Sequence, residues 1–492
     1  MSATIAEKLQ AVRDAKGAIA DAIAARGGSV PELLADYGEA ILALPSDAPA
    51  AELGDVRFRD LDGRPVRSMT VSEARALESL PELPEHEGLV AKGWNFTLAE
   101  LKAVRGVTEV AALYETDDGA TRFHIEIGED EDPSQPLVFE YTGTSATVDW
   151  GDGTPPETVG GYPSVYYGRY VRISHDYAPA SFPAKYVISV KVSGGTAMSL
   201  GGISGLYETT GYHLFGEEYD ESKTELYGRL RRIECGDCLV EIGPGSLRGC
   251  ANLEAFVMSG RIAKIGPFAF RGCGSLGFFA FGRGIPEIGE SALAEAGGIG
   301  NVSIAGNATK VGVNAFRGAG LDGELWIGDG VEIPLNCTNF ENSSLKKIRL
   351  PLRGNSIGEH AFAGCGDLET LILPKHGGSY VGSFAFLNCV SLRELEIPEG
   401  ITEIREHVFA GSGIAYLKMP STIASVGLGA FDFAAGAGTV IDFRTARQVP
   451  EAEEGAVVNV GEIVVPDALY AEWCAADVWR SHAGRITKAS EA

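Results

Sequence analysis

Eight histidines, eight cysteines and a few close-set carboxylates are the residues of this 492-residue chain that could do chemistry. The histidines are His86, His124, His175, His213, His360, His376, His407 and His482, and no two stand at metal-ligand spacing. Ser174, His175 and Asp176 carry the letters of a nucleophilic triad. Consecutive residues of a strand point to opposite faces, so these three cannot assemble one among themselves. Cys235 and Cys238 form a CxxC, but no second pair stands at ligand spacing, so neither zinc nor redox chemistry is expected. Asp149, Asp152 and the run Glu129 to Asp132 could offer oxygens to calcium. Against that stand the ordinary use of Asp-Gly in tight turns and of acidic runs as solvated loops. Neither a phosphate-binding GxxxxGKS/T loop nor an HExxH helix is present. No catalytic set, metal or cofactor is expected, and function must come from a surface.

That surface is set by a repeat. Ile233, Phe256, Phe279, Val302, Leu325, Ile348, Leu371, Leu395 and Leu417 recur at steps of 22 to 24 residues. A second ladder, Leu247, Phe270, Leu293, Phe316, Phe340, Phe362, Phe386, Phe409 and Phe431, keeps the same period. A fixed period of this length marks stacked units, none of which can bury its apolar face alone, so the chain must form a solenoid of about nine coils. Cys250, Cys273, Cys365 and Cys389 stand three residues after the second ladder and read as small buried hydrophobes. If the first ladder points inward, the residues on either side of it point out. Phe278, Trp326, Arg349, Ile372 and Tyr416 then lie on a strand face on the order of 40 Å long, given about 4.8 Å per coil. Aromatics and arginine on such a face are the candidate binding residues.

The unit IRLPLRGNSIGEHAFAGCGDLETL, with Ile357-Gly358, Ala361-Phe362 and Cys365, resembles the BspA-like leucine-rich repeat from Leu230 to Phe431. The unit between Leu325 and Ile348 lacks the Gly and Ala-Phe landmarks and keeps Phe340, so a local bulge is expected there.

The flanking chain must carry this solenoid. Residues 1–46 read as two helices, with a stripe of Ile5, Leu9, Val12, Ile19 and Ile23 interrupted by Lys16, then a capping box at Ser29 to Glu32. The stripe fits half of a helical hairpin or the start of a trimeric bundle equally well. Residues 53–136 read as a small α+β module with capping boxes at Thr70 to Glu73 and Thr97 to Glu100 and a last hairpin turning at Asp117-Asp118-Gly119. Residues 137–193 alternate apolar and polar as a β-sandwich would, 194–229 read as a connector, 230–433 as the repeats and 434–492 as a C-terminal cap.

Two further resemblances bear on function. Thr147-Val-Asp-Trp-Gly-Asp-Gly-Thr154 with His175 and Tyr177 resembles the PKD domain, which implies a β-sandwich used as a spacer or binding module. Residues 3–105, with Leu80-Pro81, Pro84, His86, Gly88, Leu89 and Gly93-Trp94-Asn95 as landmarks, look like the opening modules of phage and prophage tail proteins. That likeness implies a virion tail-fibre or receptor-binding component, extracellular on the particle. Its N-terminal helices would join other tail proteins or a homotrimer, and its solenoid would bind a host cell-surface protein or glycan. The alternative is a bacterial cell-surface adhesin built on the same repeats. The first residues show no apolar signal-peptide core, which weighs toward the virion. A formal charge of −26 argues against nucleic acid and anionic membranes as partners, and no apolar run is long enough to span a bilayer.

Overall fold

The computed structural model describes residues 56–492 except 104–107, 130, 165–167, 179–182, 196, 204–210, 217–218, 278–284, 286, 298–301, 305–309, 321–323, 328–339, 351–355, 374–377 and 437. The expected helices of residues 1–46 therefore lie outside the described residues.

The first unit is a four-stranded sheet in the order β2-β1-β4-β3. Its strands are β1 (Val56–Arg59), β2 (Pro65–Met69), β3 (Leu89–Trp94) and β4 (Thr108–Thr116). Two short helices, α1 (Val71–Ala76) and α2 (Leu98–Ala103), begin at the expected boxes. Thr70 accepts from the Glu73 amide while the Glu73 carboxylate accepts from the Thr70 amide, and Thr97 and Glu100 repeat the exchange. Each box satisfies amides that a helix start leaves without partners. Phe58, Trp94, Phe96 and Tyr114 fill the core.

The next strands are β5 (Thr121–Ile127), β6 (Ser134–Thr142), β7 (Ser145–Asp149), β8 (Glu157–Val159), β9 (Tyr162–Ser164), β10 (Gly168–Asp176), β11 (Ala184–Ser193) and β12 (Ala197–Leu200). They divide into two sheets, β5-β11-β7-β8 and β12-β6-β10-β9, closed over Phe139, Tyr141, Trp150, Tyr177 and Ile188. The expected hairpin between β4 and β5 does not form. Both strands reach the turn at Gly119, but β4 pairs with β1 and β3, whereas β5 pairs with β11. The alternation of Thr121–Ile127 buries every second side chain, and the larger apolar face available to it is that of the two-sheet unit. The stretch expected to be a connector likewise contributes β12 to a sheet and Leu214 and Phe215 to the core.

Both sheets run on into the solenoid. After the short pair β13 (Gly202–Ile203) and β14 (Gly211–Tyr212) come β15 (Leu230–Glu234), β16 (Leu239–Ile242) and β17 (Ala255–Val257). β15 pairs antiparallel with β5 and parallel with β17, while β16 pairs parallel with β12. From there the described coils add short strands in parallel register, such as Lys347–Arg349 beside Thr370–Ile372. Among the described side chains both ladders point inward. Ile233 and Leu417 are fully buried, as are all nine residues from Leu247 to Phe431 in the second ladder.

The phenylalanine rings stack coil on coil. From Phe316 to Phe431 successive centroids lie 5.3–6.0 Å apart with interplanar angles of 7° or less. The column passes through Phe340 unbroken, while residues 328–339, where a bulge was expected, lie outside the described residues. Two columns of backbone geometry make the coils superpose. Gly245, Phe268, Ser291, Asn314, His360, Phe384, His407 and Gly429, each two before a second-ladder residue, have φ between 51° and 63°. Side-chain-bearing residues enter that region at a cost that the stacked neighbours must offset. At Gly266, Gly289, Gly312 and Gly382 an added Cβ would come within 2.4–2.6 Å of the preceding coil's backbone.

After Phe431 the strands Thr439–Asp442, Val460–Val465 and Ile486–Lys488 extend one sheet, and the helices Tyr470–Ala475 and Asp477–Arg480 close the open core. Trp473 and Trp479 pack against each other and against Phe443 at centroid distances of 4.7–5.7 Å. The Trp479 indole N–H donates to the Pro450 carbonyl (2.8 Å).

Candidate interaction surface

Parallel pairing fixes which side chains share the strand face. Ser303, Trp326, Arg349 and Ile372 stand in one row, and Glu394, Tyr416 and Val440 in the other. Ile372 is 42% exposed, the large apolar side chain this face presents most openly among the described residues. Phe278 lies outside the described residues, and of Trp326 only the strand backbone is described.

Tyr416 is not the free contact the sequence suggests. Its hydroxyl donates to the Asp442 carboxylate on the next coil, where Arg444 Nε also donates (2.9 Å). Burial first, then the Asp442 charge and hydrogen bond, push the Tyr416 phenol up to about 12. The side chain is a tie between the last coil and the cap.

Nor does the face run the length of the solenoid. Val257, expected to point outward, is buried in the core of the first unit. β4 lies across these coils. Thr116 N–H donates to the Cys235 carbonyl of the first coil (3.0 Å) and Tyr114 N–H to the Met258 carbonyl of the second (3.3 Å), and β4 also approaches Val302–Ile304 of the fourth. Charges hold the seam. Glu115 binds Lys92 (2.9 Å) and Arg261 (3.2 Å), and Arg122 bridges Asp117 (2.9 Å), Asp118 (3.1 Å) and Glu234 (3.5 Å). Burial would raise Glu234, but hydrogen bonds from His124 and Arg232 overcome it and hold the carboxyl at about 2.

Several of the residues singled out for chemistry make structural contacts. His175 stacks on Trp150 (5.1 Å, 15°) and meets the Asp152 carboxylate at 2.8 Å. Burial raises Asp152, but the Thr154 hydroxyl and amide, with His175, outweigh it and hold it at about 2. In the acidic run Glu131 pairs with the buried Arg229 (2.8 Å), which also donates to the Asp132 and Ser134 carbonyls. This is a staple onto the start of the solenoid. The cysteine thiols donate inward, Cys273 to the Leu247 carbonyl, Cys365 to Phe340 and Cys389 to Phe362. Burial pushes Cys235 up to about 12 and Cys238 to about 11, far from a reactive thiolate.

One feature escaped the sequence reading. A groove of about 340 Å³ opens over the last coils, lined by Ser383, Glu403, Arg405, Glu406, Glu451 and Glu453. Its signal is visible in retrospect, since Arg405 stands where other coils carry the close-packed glycine. Its guanidinium lies over the Tyr380 ring at 3.9 Å.

Residues 227–322 and 332–435 match the family described as BspA type Leucine rich repeat region, in six copies. The solenoid is a BspA-type repeat region. The gap between the matched stretches falls at the irregular unit after Leu325. Among solved structures, a leucine-rich repeat protein from Bacteroides ovatus ATCC 8483 is 15% identical, with 58% of this chain and 97% of that chain covered and a TM-score of 0.32. No curated protein matches the chain. Among the described residues no helix is long and apolar enough to cross a membrane. Leucine-rich repeats of this type fit a surface-interaction protein.

Proposed function

We propose that the chain is a non-catalytic receptor-binding protein of a phage tail, in which the solenoid's strand face binds a host cell-surface protein or glycan. The observation that carries the binding role is the exposed Ile372 in register with Arg349 and Trp326, on a face of a BspA-type repeat region. The tail assignment rests on the likeness of residues 3–105 to tail-protein modules, with the N-terminal helices as attachment or trimerisation segment. The PKD-like stretch around Asp149 to Thr154 is the unit on which the solenoid is mounted. A bacterial cell-surface adhesin is the second reading, favoured by the repeat type itself.

Attachment of the labelled protein to candidate host cells, read by flow cytometry, tests the binding role. Trp326→Ala with Ile372→Ala is expected to lower attachment several-fold at unchanged melting temperature. Unchanged attachment removes the strand face from the reading. Antibody against the chain, expected to decorate phage tails in electron micrographs, instead marks bacterial cells if the adhesin reading holds.

A further inference from the structure

We infer that the partner presents an extended polypeptide strand, laid lengthwise along coils six to eight in the way β4 is laid across coils one and two. The inference rests on the strand-face reading above and narrows its partner from protein or glycan to polypeptide. β4 provides the template within the molecule. It crosses successive coils and donates alternate amides, Thr116 and Tyr114, to carbonyls two residues past the ladder, at Cys235 and Met258. Leu113 reaches the solenoid core and Val257 reaches back into the first unit.

The same carbonyl position recurs further along at Leu350, Leu373 and Ile397. In a parallel stack the donor to each would be the next coil's third residue past its ladder, by the pattern in which Thr370 N–H donates to Lys346 and Tyr416 N–H to Arg393. Those third residues are Pro374, Pro398 and Pro420, which have no N–H. Among the described residues no amide donates to Leu350, Leu373 or Ile397 oxygen. Leu373 is the partly exposed one of the three, and it directly follows Ile372. A backbone acceptor without a donor beside an exposed apolar side chain is what an added strand satisfies, by main-chain hydrogen bonds and alternate side chains. A glycan would supply hydroxyls to the acceptor but little to cover Ile372.

The test uses a fluorescein-labelled nonapeptide with the β4 sequence, TEVAALYET, titrated into the full chain by anisotropy. Saturable binding is expected. Ile372→Asp should weaken it at least tenfold, and Pro398→Ala, which restores an amide able to compete for the Leu373 carbonyl, about threefold to tenfold, the worth of one net hydrogen bond. Val390→Asp, at a residue 50% exposed away from the strand face, should leave it unchanged. Circular dichroism verifies the fold of each variant. Absence of saturable binding, or binding insensitive to both Ile372→Asp and Pro398→Ala, overturns the inference. If cell attachment still depends on Ile372 in that case, the strand-face reading stands without it; if attachment is also insensitive, both fall.

Discussion

The two ends of the solenoid solve one problem differently. A stack of coils ends in two open strand edges and an open apolar core. At the N-terminal end both edges are annealed to another unit, through β5 on β15 and β12 on β16, so a single core runs from Phe123 into the coils. At the C-terminal end the core is stoppered by Trp473 and Trp479, while one sheet runs out in the short strand Ile486–Lys488. The first arrangement couples the repeats to their mount as one body. The second is a local plug whose loss should unravel only its neighbours.

Breaking the plug tests this most directly. Trp479→Ala is expected to cost about 3–5 kcal/mol, the usual price of emptying a large buried aromatic site, with hydrogen exchange rising first in residues after Phe409. Uniform loss of protection along the chain would show that the ends are not distinct.

Acid should attack the opposite end. His213 is fully buried near the first coil, its Nδ1 accepting from the Phe215 amide and Nε2 donating to the Arg248 carbonyl. Burial, the largest cause, lowers its pKa to about 3. The unfolded chain takes up this proton near pH 6.5 and the folded chain only near 3. Stability therefore falls as pH drops through that window, by up to about 1.4 kcal/mol per unit from this group. Exchange at pH 4.5 should open residues 211–250 before the C-terminal cap, and His213→Gln should flatten the dependence between pH 6.5 and 4.5.

The smallest effect concerns coil fit. Arg405→Gly restores the glycine column and removes a cation–π contact at a partly exposed site, so a change within about 1 kcal/mol in denaturant midpoint is expected. Gly382→Ala, whose Cβ would meet the Glu359 amide at 2.5 Å, should cost clearly more. Equal effects would mean that the coils relax freely at this column.

Legibility followed the same divide. The ladders, the capping boxes at Thr70 and Thr97 and the inward cysteines could be read because each depends on neighbours a fixed few residues or one period away. The roles of Tyr416 and Val257 could not. Strand alternation places both outward, and only a partner brought in by folding, Asp442 for one and β4 for the other, decides that the first is tied down and the second covered.

The sequence by itself determined that this chain stacks about nine coils, with which residues inside and which on the strand face, because a period of 22 to 24 residues repeats one local solution. Tertiary structure alone decided how much of that face stays open. Pairing Phe123 with Ile233, and seating β4 on Cys235 and Met258, joins segments far apart in the chain, and no local period records which of several compatible edges a strand will choose.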